Sequence, residues 1–426
     1  MKYSGVQWIG NIPDNWEVKK VKYCFYISKE QAHEENPTVL SLARSGVKVR
    51  DISSNEGQLA ASYDNYNPVK PGDLLLNPMD LYSGANCNMS ELSGVISPAY
   101  VNLRAKEELN PKFFDYFFKT QYWAMAMFAH GKGVSFDNRW TLNAEALLGY
   151  SLPFPKKEIQ DDIVDYLNLK TNEIETLINI EKNQIEKLNE YKQAIITDAM
   201  TKGFDNHHLK DSGVAYIGQI ESGLIVVPLK FLLSEQMMYG ANESGTNDKT
   251  NNALRYIRIT DIDGDGKLKD SEDNQYLPRT VGEPYLLEDG DVLFARSGGT
   301  VGKTFIYRSC YGDSAFAGYL IKAKCNKQKI LSDYLYLFTQ SSAYELWKQS
   351  IFIQSTIQNI GANKYSMLPV VVGSIDWQKK IVDYLNNKLK DIDSLIELKK
   401  QKIDELEEYK KSLIFEYVTG KKEVAA

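Results

Sequence analysis

The chain has 426 residues, more than one hydrophobic core usually supports, and at roughly 100–200 residues per domain this length predicts two or more domains. Its 43% hydrophobic and 25% charged residues exclude an intrinsically disordered chain. The net charge of −6 excludes a uniformly basic surface, although clusters such as Lys19, Lys20 and Lys22 matter more for phosphate contacts than the total does.

The N-terminal sequence MKYSGVQWIGNIPDNW has no cationic stretch leading into an apolar run, and no segment of the chain approaches the roughly 20 apolar residues of a membrane span. We therefore expect a cytoplasmic protein that makes no membrane contact. The four cysteines, Cys24, Cys87, Cys310 and Cys325, lie far apart and show no spacing typical of a zinc site or a redox motif. We expect them to be free thiols.

The first globular segment is predicted to be rich in β-strands. Short strands are expected within Val69–Asn77 (VKPGDLLLN), bounded by turn residues, and a helix is expected near Pro111–Met127. The second globular segment has a matching strand at Asp291–Ala295 and a helix near Ser332–Gln349. Mixed elements of this kind predict an α+β fold.

An internal repeat organises the chain. SGVQWIGNI at Ser4–Ile12 recurs as SGVAYIGQI at Ser212–Ile220. IVDYLN at Ile163–Asn168 recurs identically 218 residues later, and the GDLL of Gly72–Leu75 recurs at the same offset as GDVL. The sequences between these landmarks differ widely. The second half therefore repeats the framework of the first while its contents have diverged.

Each globular segment is followed by a stretch that predicts one long amphipathic helix. Apolar residues recur about every 3.5 residues, and neither stretch has a proline or a glycine before Gly203 and Gly420. Because two such helices of similar length and period each need a partner, we expect them to pair as an antiparallel coiled coil; packing of each helix on its own domain is the alternative. The predicted seam residues are Leu167, Ile174, Ile178, Ile185, Leu188 and Ile195 in the first helix, and Leu385, Leu389, Ile392, Ile396, Ile403, Leu406 and Leu413 in the second.

The repeat and the helices together define the expected domain organisation. The fold class is α+β, with two β-rich domains in tandem that are each followed by a long helix. We expect a first domain at 1–155, a central helix at 156–203, a second domain at 204–373, a C-terminal helix at 374–422 and a tail at 423–426.

The string SGGTVGKT at Ser297–Thr304 nearly matches a phosphate-binding P-loop. That motif requires glycine where this chain has Ser297, and it must be followed by a helix, whereas FIYRS is predicted to be a strand. We therefore expect either a tight turn or a loop that offers its amides and Lys303 to a DNA backbone phosphate, and not a nucleotide site.

The segment DIDGDGKLKDSE at Asp261–Glu272 satisfies the twelve-residue EF-hand loop pattern, with acidic residues at the ligand positions and Gly266 at the sixth. The preceding LRYIRIT predicts a strand, and the following QYLPRTVGEP cannot form a helix. Because both flanking helices are missing, we expect an acidic β-turn and no metal site; a calcium loop is the alternative.

No catalytic constellation is visible in the sequence. The chain has four histidines and lacks the Gly-x-Ser-x-Gly, His-Glu-x-x-His and dinucleotide-binding patterns. Since nothing proposes a nucleophile, we do not expect an enzyme.

Several segments, taken in order, resemble the specificity subunit of type I restriction-modification enzymes. They are SGVQWIGNIPDNWEVKKVKY at the start, NPMDLYSGANCNMSELSGVISPAYVNL from Asn77 to Leu103, RYIRITDID and GDVLFARSGGTVGK in the second half, and the two IVDYLN helices. The likeness spans essentially the whole chain. The family often has a Pro-Pro-Leu-Glu-Glu-Gln run before each helix, and only Gln160 and Gln378 remain of it here.

The resemblance implies that each globular domain is a target-recognition domain that reads one half of a split site in double-stranded DNA. It also implies that the paired helices set the spacing and dock two methyltransferase subunits, with ATP-driven restriction and translocase subunits joining them. Adenine-N6 methylation would occur on the partner, which flips the base out of the duplex. This chain would be non-catalytic and bind no cofactor; S-adenosylmethionine, ATP and magnesium would be bound by the partner subunits.

The residues predicted to contact DNA lie in loops that combine hydrogen-bond donors with glycine or aromatic residues. Base readout favours Arg and Lys for guanine, and Asn and Gln for adenine. Because SGGTVGK recurs in the family, we assign it to backbone positioning; an ordinary polar surface role is the alternative for each candidate. The candidates are Lys132, Asn138 and Arg139 in GKGVSFDNRW, Arg296, Thr300 and Lys303 in ARSGGTVGKT, and Gln354 and Gln358 in IQSTIQN.

Two other functions compete with DNA recognition. A structural adaptor, which holds protein partners on its paired helices without reading DNA, explains the acidic balance better. It does not explain why the frames repeat while the domain interiors diverge. A nucleotide-dependent enzyme rests on the near-P-loop alone.

Overall fold

The computed structural model describes residues 1–33, 36–52, 60, 62–79, 81, 87–106, 108–133, 140–204, 208–249, 252–263, 266–269, 271, 273–353 and 359–424. The chain divides into two compact units, unit 1 (residues 1–182 and 400–426) and unit 2 (residues 183–399). All four cysteines are free thiols, as predicted. Among the described residues, no helix has the length and apolar character that crossing a membrane requires.

Unit 1 begins with a strand-rich segment and ends in a long helix. Its elements are β1 (Lys2–Tyr3), β2 (Asn11–Ile12), β3 (Glu17–Lys20), α1 (Val21–Cys24), β4 (Phe25–Ile27), β5 (Leu40–Ala43), β6 (Gly46–Val49), β7 (Asn67–Val69), β8 (Leu74–Leu76), β9 (Cys87–Met89), β10 (Gly94–Ile96), β11 (Val101–Ala105), α2 (Pro111–Trp123), α3 (Ala144–Leu148) and β12 (Ser151–Phe154). Helix α4 (Lys157–Lys202) follows, and its first part, to residue 182, belongs to this unit.

Unit 2 receives the rest of α4 and repeats the pattern. Its elements are β13 (Leu209–Asp211), β14 (Gln219–Glu221), β15 (Ile225–Pro228), β16 (Met238–Tyr239), β17 (Ala253–Ile257), β18 (Gln275–Pro278), α5 (Arg279–Gly282), β19 (Val292–Ala295), β20 (Thr304–Ile306), β21 (Ser314–Phe316), β22 (Leu320–Ala323), α6 (Ser332–Phe338), α7 (Ser342–Ile353), α8 (Ala362–Tyr365) and β23 (Pro369–Val372). Helix α9 (Ile375–Val418) follows, and its last part, from residue 400, belongs to unit 1.

Both units carry the same frame of strands. A hairpin opens each unit, β1 with β2 and β13 with β14. The next strand pairs antiparallel with the strand that precedes the long helix, β3 with β12 and β15 with β23. Each four-stranded sheet has the same order, β4-β11-β8-β9 in unit 1 and β16-β22-β19-β20 in unit 2. The predicted α+β class and the internal repeat are therefore confirmed.

The repeated Gly-Asp pair forms the turn that leads into β8 and β19. Gly72 and Gly290 have φ angles of +88° and +90°, a region that favours glycine. The following aspartate then closes the turn, because Asp73 Oδ2 accepts from Lys70 N at 2.9 Å, and Asp291 closes its own turn in the same way at 2.8 Å. The short motif recurs because both units need this turn to start the same strand of the sheet.

The two long helices pair antiparallel within each unit, as predicted. In the cross-helix side-chain pairs, a higher residue number on α9 goes with a lower one on α4, so the two helices run in opposite directions. The cross-helix pairs are Lys402–Glu181 (2.6 Å) and Lys410–Glu175 (2.7 Å) in unit 1, and Lys192–Asp393 (2.6 Å) and Lys399–Gln184 in unit 2. Glu181 is buried, whereas both partners of Lys410–Glu175 and Lys192–Asp393 are at least partly exposed. Exposed ion pairs each contribute about 0–1 kcal/mol, so these two select register and direction more than they stabilise the helices.

The predicted seam residues lie in the core of the unit to which they belong. In unit 1, Leu167, Ile174 and Ile178 are buried, and Ile403 and Leu406 are partly buried against the same core. The corresponding residues of unit 2 are the buried Leu385, Leu389, Ile392 and Ile396 and the partly buried Ile185, Leu188 and Ile195. Each buried Leu or Ile contributes about 1.5–3 kcal/mol, so the seam outweighs the surface ion pairs.

A buried glutamine anchors the first turn of each long helix. Gln160 Nε2 donates to Pro155 O, and Gln160 Oε1 accepts from Asn110 N, both at 2.9 Å. Gln378 makes the equivalent bonds in unit 2, since its Oε1 accepts from Leu331 N at 2.9 Å and its Nε2 donates to Gly373 O at 3.1 Å. The side chain therefore satisfies the backbone ahead of α2 or α6 and the backbone just before the long helix. Gln160 and Gln378 thus connect the strand-rich part of each unit to the start of its long helix.

Candidate nucleic-acid interface

The loop between β19 and β20 holds three of the predicted DNA-binding residues, Arg296, Thr300 and Lys303. Residues Gly298–Thr300 form a single 3-10 turn, and Gly298 and Gly302 have φ angles of +77° and +83°. The near-P-loop string leads into a strand and not a helix, as predicted. The loop is therefore a tight β-turn connection whose glycines serve its backbone path.

Two buried tyrosines fix the base of this loop. Tyr344 donates its hydroxyl to Gly302 O at 2.7 Å, and Tyr365 donates to Ala295 O at 2.6 Å. Burial raises the pKa of both hydroxyls, so they stay protonated and able to donate. Backbone bonds between Ala295 and Lys303 and between Gly302 and Ala295 close the same turn. The exposed tip of the loop consequently stands on a rigid base.

Arg296 is held in one orientation with its outer edge open. Its guanidinium lies over the ring of Tyr239, 5.1 Å from the centroid, and its Nε donates to Asn359 Oδ1 at 3.4 Å. The Tyr239 hydroxyl accepts from Ala362 N at 2.9 Å. Within the described part of the chain, neither Nη atom of Arg296 has a partner. A guanidinium fixed in this way can offer two parallel N–H groups to guanine or to phosphate.

An exposed basic and aromatic face surrounds Arg296. Lys303 and the tip glycines are exposed, Tyr319 is 62% exposed, and Tyr239 is 40% exposed. Tyr319 O accepts from Arg296 N at 2.9 Å, which places the two residues side by side. The combination of a lysine, an oriented arginine, free glycine amides and tyrosine hydroxyls can bind both phosphates and base edges.

The corresponding loops of unit 1 share the backbone frame but not the side chains. Pro78 stands 218 residues before Arg296, and Leu142 N donates to Pro78 O at 2.8 Å, just as Ile360 N donates to Arg296 O at 2.9 Å in unit 2. The predicted Lys132 is exposed and forms a two-way backbone bridge with Thr141 at 2.8 and 3.0 Å. Lys132 thus marks the base of a loop on the equivalent face.

Four predicted residues fall outside the part of the chain that the structure describes. They are Asn138 and Arg139 in unit 1, and Gln354 and Gln358 in unit 2. The structure therefore brings together Arg296, Thr300 and Lys303 and places Lys132 on the other unit.

The acidic segment at Asp261–Glu272 is engaged by its own neighbours where it is described. Asp261 accepts from Arg258 N and from the Arg258 guanidinium, both at 2.8 Å, and Asp263 accepts from Lys267 N at 2.8 Å. Asp265 and Glu272 lie outside the described residues. Arginine here takes the place that a cation would need at the first ligand position, which fits the predicted acidic turn. Over the described ranges, no three His, Cys, Asp or Glu side chains are grouped to hold a metal.

Sequence reasoning missed Tyr239, Tyr319 and Asn359, the residues that orient Arg296 or lie beside it. The chain has 27 tyrosines, so composition cannot separate two surface tyrosines from those of the cores. Asn359 is the last residue of the predicted segment IQSTIQN, but only Gln354 and Gln358 were selected from that segment as contact residues.

Comparison with known proteins points to the same kind of surface. Residues 244–408 match the family model described as the type I restriction modification DNA specificity domain. The type I restriction enzyme MjaVIII specificity subunit of Methanocaldococcus jannaschii is 22% identical to this chain over 97% of this chain and 94% of that protein. A chain from a structural study of complex assembly and conformational transition in the type I R-M system aligns at a TM-score of 0.67 and 13% identity, covering 96% of this chain and 98% of that chain. That likeness shows the fold.

We expect Lys303→Ala to weaken binding of duplex DNA and to flatten the dependence of log affinity on log salt by about 1, because one phosphate contact is lost. Fluorescence anisotropy of the full chain at several salt concentrations measures both quantities. Lys388→Ala, an exposed lysine on α9, is the matched control and should change neither. An unchanged affinity and slope for Lys303→Ala would remove this residue from the interface.

Proposed function

Since the chain belongs to the family of type I restriction-modification specificity subunits and serves in DNA recognition, we propose that each of its two units reads one half of a bipartite DNA site. The proposal rests on the fact that the two units share a backbone structure but differ in side chains. The same backbone hydrogen bond is accepted by Arg296 O in unit 2 and by Pro78 O in unit 1. Two readers of different half-sites need one scaffold and two sets of side chains.

In unit 2 we assign Arg296 to a base or phosphate edge, and Thr300 and Lys303 to the DNA backbone. In unit 1 we assign Lys132 to the equivalent face. The remaining sequence candidates, Asn138, Arg139, Gln354 and Gln358, complete the proposed contact set. Exposure of Lys132 and Lys303 and the loop position of Arg296, Thr300 and Lys303 support these assignments, and donor chemistry alone supports the four sequence candidates.

The helices α4 and α9 would set the spacing between half-sites and dock the methyltransferase subunits. Each contributes residues to both units, so each unit presents its own stretch of paired helix. A continuous helix is stiff enough to hold two readers at a fixed separation, as half-sites about one DNA turn, roughly 34 Å, apart require.

An exposed apolar stripe on the paired helices supports the docking role. We call it the coil stripe. Its members are far more exposed than the seam residues, and the unit 1 set recurs in unit 2 at an offset of 218 residues. The members are Leu177 (45% exposed), Ile180 (45%) and Tyr409 (56%) in unit 1, and Leu395 (42%), Leu398 (62%) and Tyr191 (58%) in unit 2.

The composition of the coil stripe fits two identical partners. Leu177 and Ile180 are neighbours on one helical face, and Tyr409 adjoins Lys410, which contacts Glu175 on the same stretch of α4. Unit 2 has the same trio with the two helices exchanged. Exposed leucines and tyrosines grouped in this way are typical of protein interfaces. Two equal stripes favour two copies of one methyltransferase subunit.

The chemistry of the complex would then reside in the partners. The methyltransferase subunits would bind S-adenosylmethionine and methylate adenine, and restriction subunits would use ATP and magnesium. This chain would contribute recognition and assembly alone.

We expect single-molecule sequencing of a host that expresses the complete system to show adenine methylation at a split motif. Deletion of the gene for this chain should abolish methylation at that motif, because the methyltransferase subunits lose their reader. Restoration of the gene on a plasmid is the control. An unchanged methylome after deletion would refute the proposed function.

We expect Leu177→Glu/Ile180→Glu to remove one methyltransferase copy from the complex, since two charges would face an apolar partner surface. Leu395→Glu/Leu398→Glu should remove the other copy, and the combined variant should bind none. Native mass spectrometry of co-expressed subunits measures the stoichiometry.

The matched control for these variants is Leu169→Glu. Leu169 is 58% exposed on α4, and the position 218 residues later is Asn387, so it does not belong to the repeated stripe. This variant should keep both copies. Retention of both copies by the combined stripe variant would contradict the docking assignment.

A further inference from the structure

A second surface feature recurs in the two units at the start of the four-stranded sheet. In unit 1, Lys22 Nζ lies 5.1 Å from the ring centroid of Tyr23. In unit 2, Lys230 Nζ lies 4.9 Å from the ring centroid of Phe231. The two pairs are 208 residues apart, the offset of the opening hairpins. An aromatic ring beneath a lysine is therefore part of the repeated frame.

A further lysine completes each pair. Lys106 Nζ donates to Lys22 O at 2.8 Å, and Lys329 Nζ donates to Phe231 O at 3.0 Å. We define the lysine–aromatic element as Lys22, Tyr23 and Lys106 in unit 1, and Lys230, Phe231 and Lys329 in unit 2. Its lysines come from two segments that meet at the same end of the sheet.

The element is open to solvent and carries unbalanced positive charge. Tyr23 is 62% exposed and Phe231 is 56% exposed, and all four lysines are exposed. In the region that the structure describes, none of these lysines forms an ion pair with a carboxylate. An exposed ring flanked by two unpaired ammonium groups is an attractive surface for an acidic partner.

The element lies away from the candidate DNA face. In unit 2, Arg296 N bonds to Tyr319 O just before β22, whereas Asn326 N, just beyond the other end of β22, bonds to Leu232 O, next to Phe231. The element and the Arg296 loop are therefore at opposite ends of one sheet.

The aromatic ring also favours a protein over DNA. Binding to the phosphates of duplex DNA requires only the lysines. An aromatic ring would add to DNA binding by stacking only where the bases are unpaired. A protein segment uses both parts of the element, since carboxylates pair with the lysines and an apolar side chain covers the ring. Because the lysine–ring pair recurs in both units and each pair has a second lysine beside it, the occupant should also be the same in both.

We propose that the lysine–aromatic element is a second docking surface for the methyltransferase subunit and receives an acidic segment of that subunit with an apolar side chain at its centre. This inference rests on the proposed function, because it concerns the partner that occupies the coil stripe. Each methyltransferase copy would thus contact the helices and the adjoining domain of one unit.

The test uses the full chain and the co-expressed methyltransferase subunit. Lys22→Glu/Tyr23→Ser should weaken binding of one methyltransferase copy about tenfold, and Lys230→Glu/Phe231→Ser should weaken the other equally. Tyr3→Ser is the matched control, because Tyr3 is 65% exposed on β1 and no lysine of the described residues lies over its ring; it should bind like the wild type. Isothermal titration gives the affinities, and circular dichroism checks that each variant is folded.

Duplex DNA affinity, measured on the same variants, separates the outcomes. Weaker methyltransferase binding with unchanged DNA affinity of the chain supports the proposal. Unchanged methyltransferase binding overturns it, and a loss confined to DNA affinity also overturns it by assigning the element to the DNA backbone. Failure of the wild-type chain to bind the methyltransferase subunit would instead refute the proposed function on which the inference rests.

Discussion

The antiparallel pairing of α4 and α9 is the constraint on which each unit depends. Unit 1 is not closed by its own N-terminal segment, because Leu413, Ile414, Tyr417 and Val418 at the end of α9 are buried in its core. The chain must therefore return to its beginning before unit 1 is complete, and Lys421 Nζ then bonds to Ile9 O at 2.8 Å. Loss of pairing would expose part of the core of each unit, a far larger penalty than the loss of any surface ion pair.

The repeat separates what builds the molecule from what makes its two halves different. The Gly-Asp turns, the buried glutamines at the helix starts, the coil stripe and the lysine–ring pairs Lys22–Tyr23 and Lys230–Phe231 all recur. The residue that follows β8 or β19 and accepts the shared backbone bond does not recur, since it is Arg296 in unit 2 and Pro78 in unit 1. In the proposed function, scaffold and partner contacts belong to the repeated set, and DNA reading belongs to the set that differs.

The sequence was sufficient to predict the parts of the fold that depend on local periodicity. The seam from Leu167 to Leu188 and from Leu385 to Leu406 follows from heptad spacing, and the strands after Gly72 and Gly290 follow from turn chemistry. The antiparallel pairing of α4 with α9 was also predicted, but individual contacts between remote segments were not. No pattern indicates that Gln160 accepts from Asn110 or that Tyr239 supports Arg296, because each contact requires knowledge of the sheet order. The compact units accordingly cut through both helices at residues 182 and 399.

We propose that the two units read their half-sites independently on one shared frame. Exchange of residues 208–373 for the equivalent segment of another specificity subunit, followed by single-molecule sequencing of adenine methylation, tests it most directly. We expect a new split motif in which one half changes while the other half stays as in the wild type. A motif that changes in both halves, or that keeps both halves despite the exchange, would contradict it.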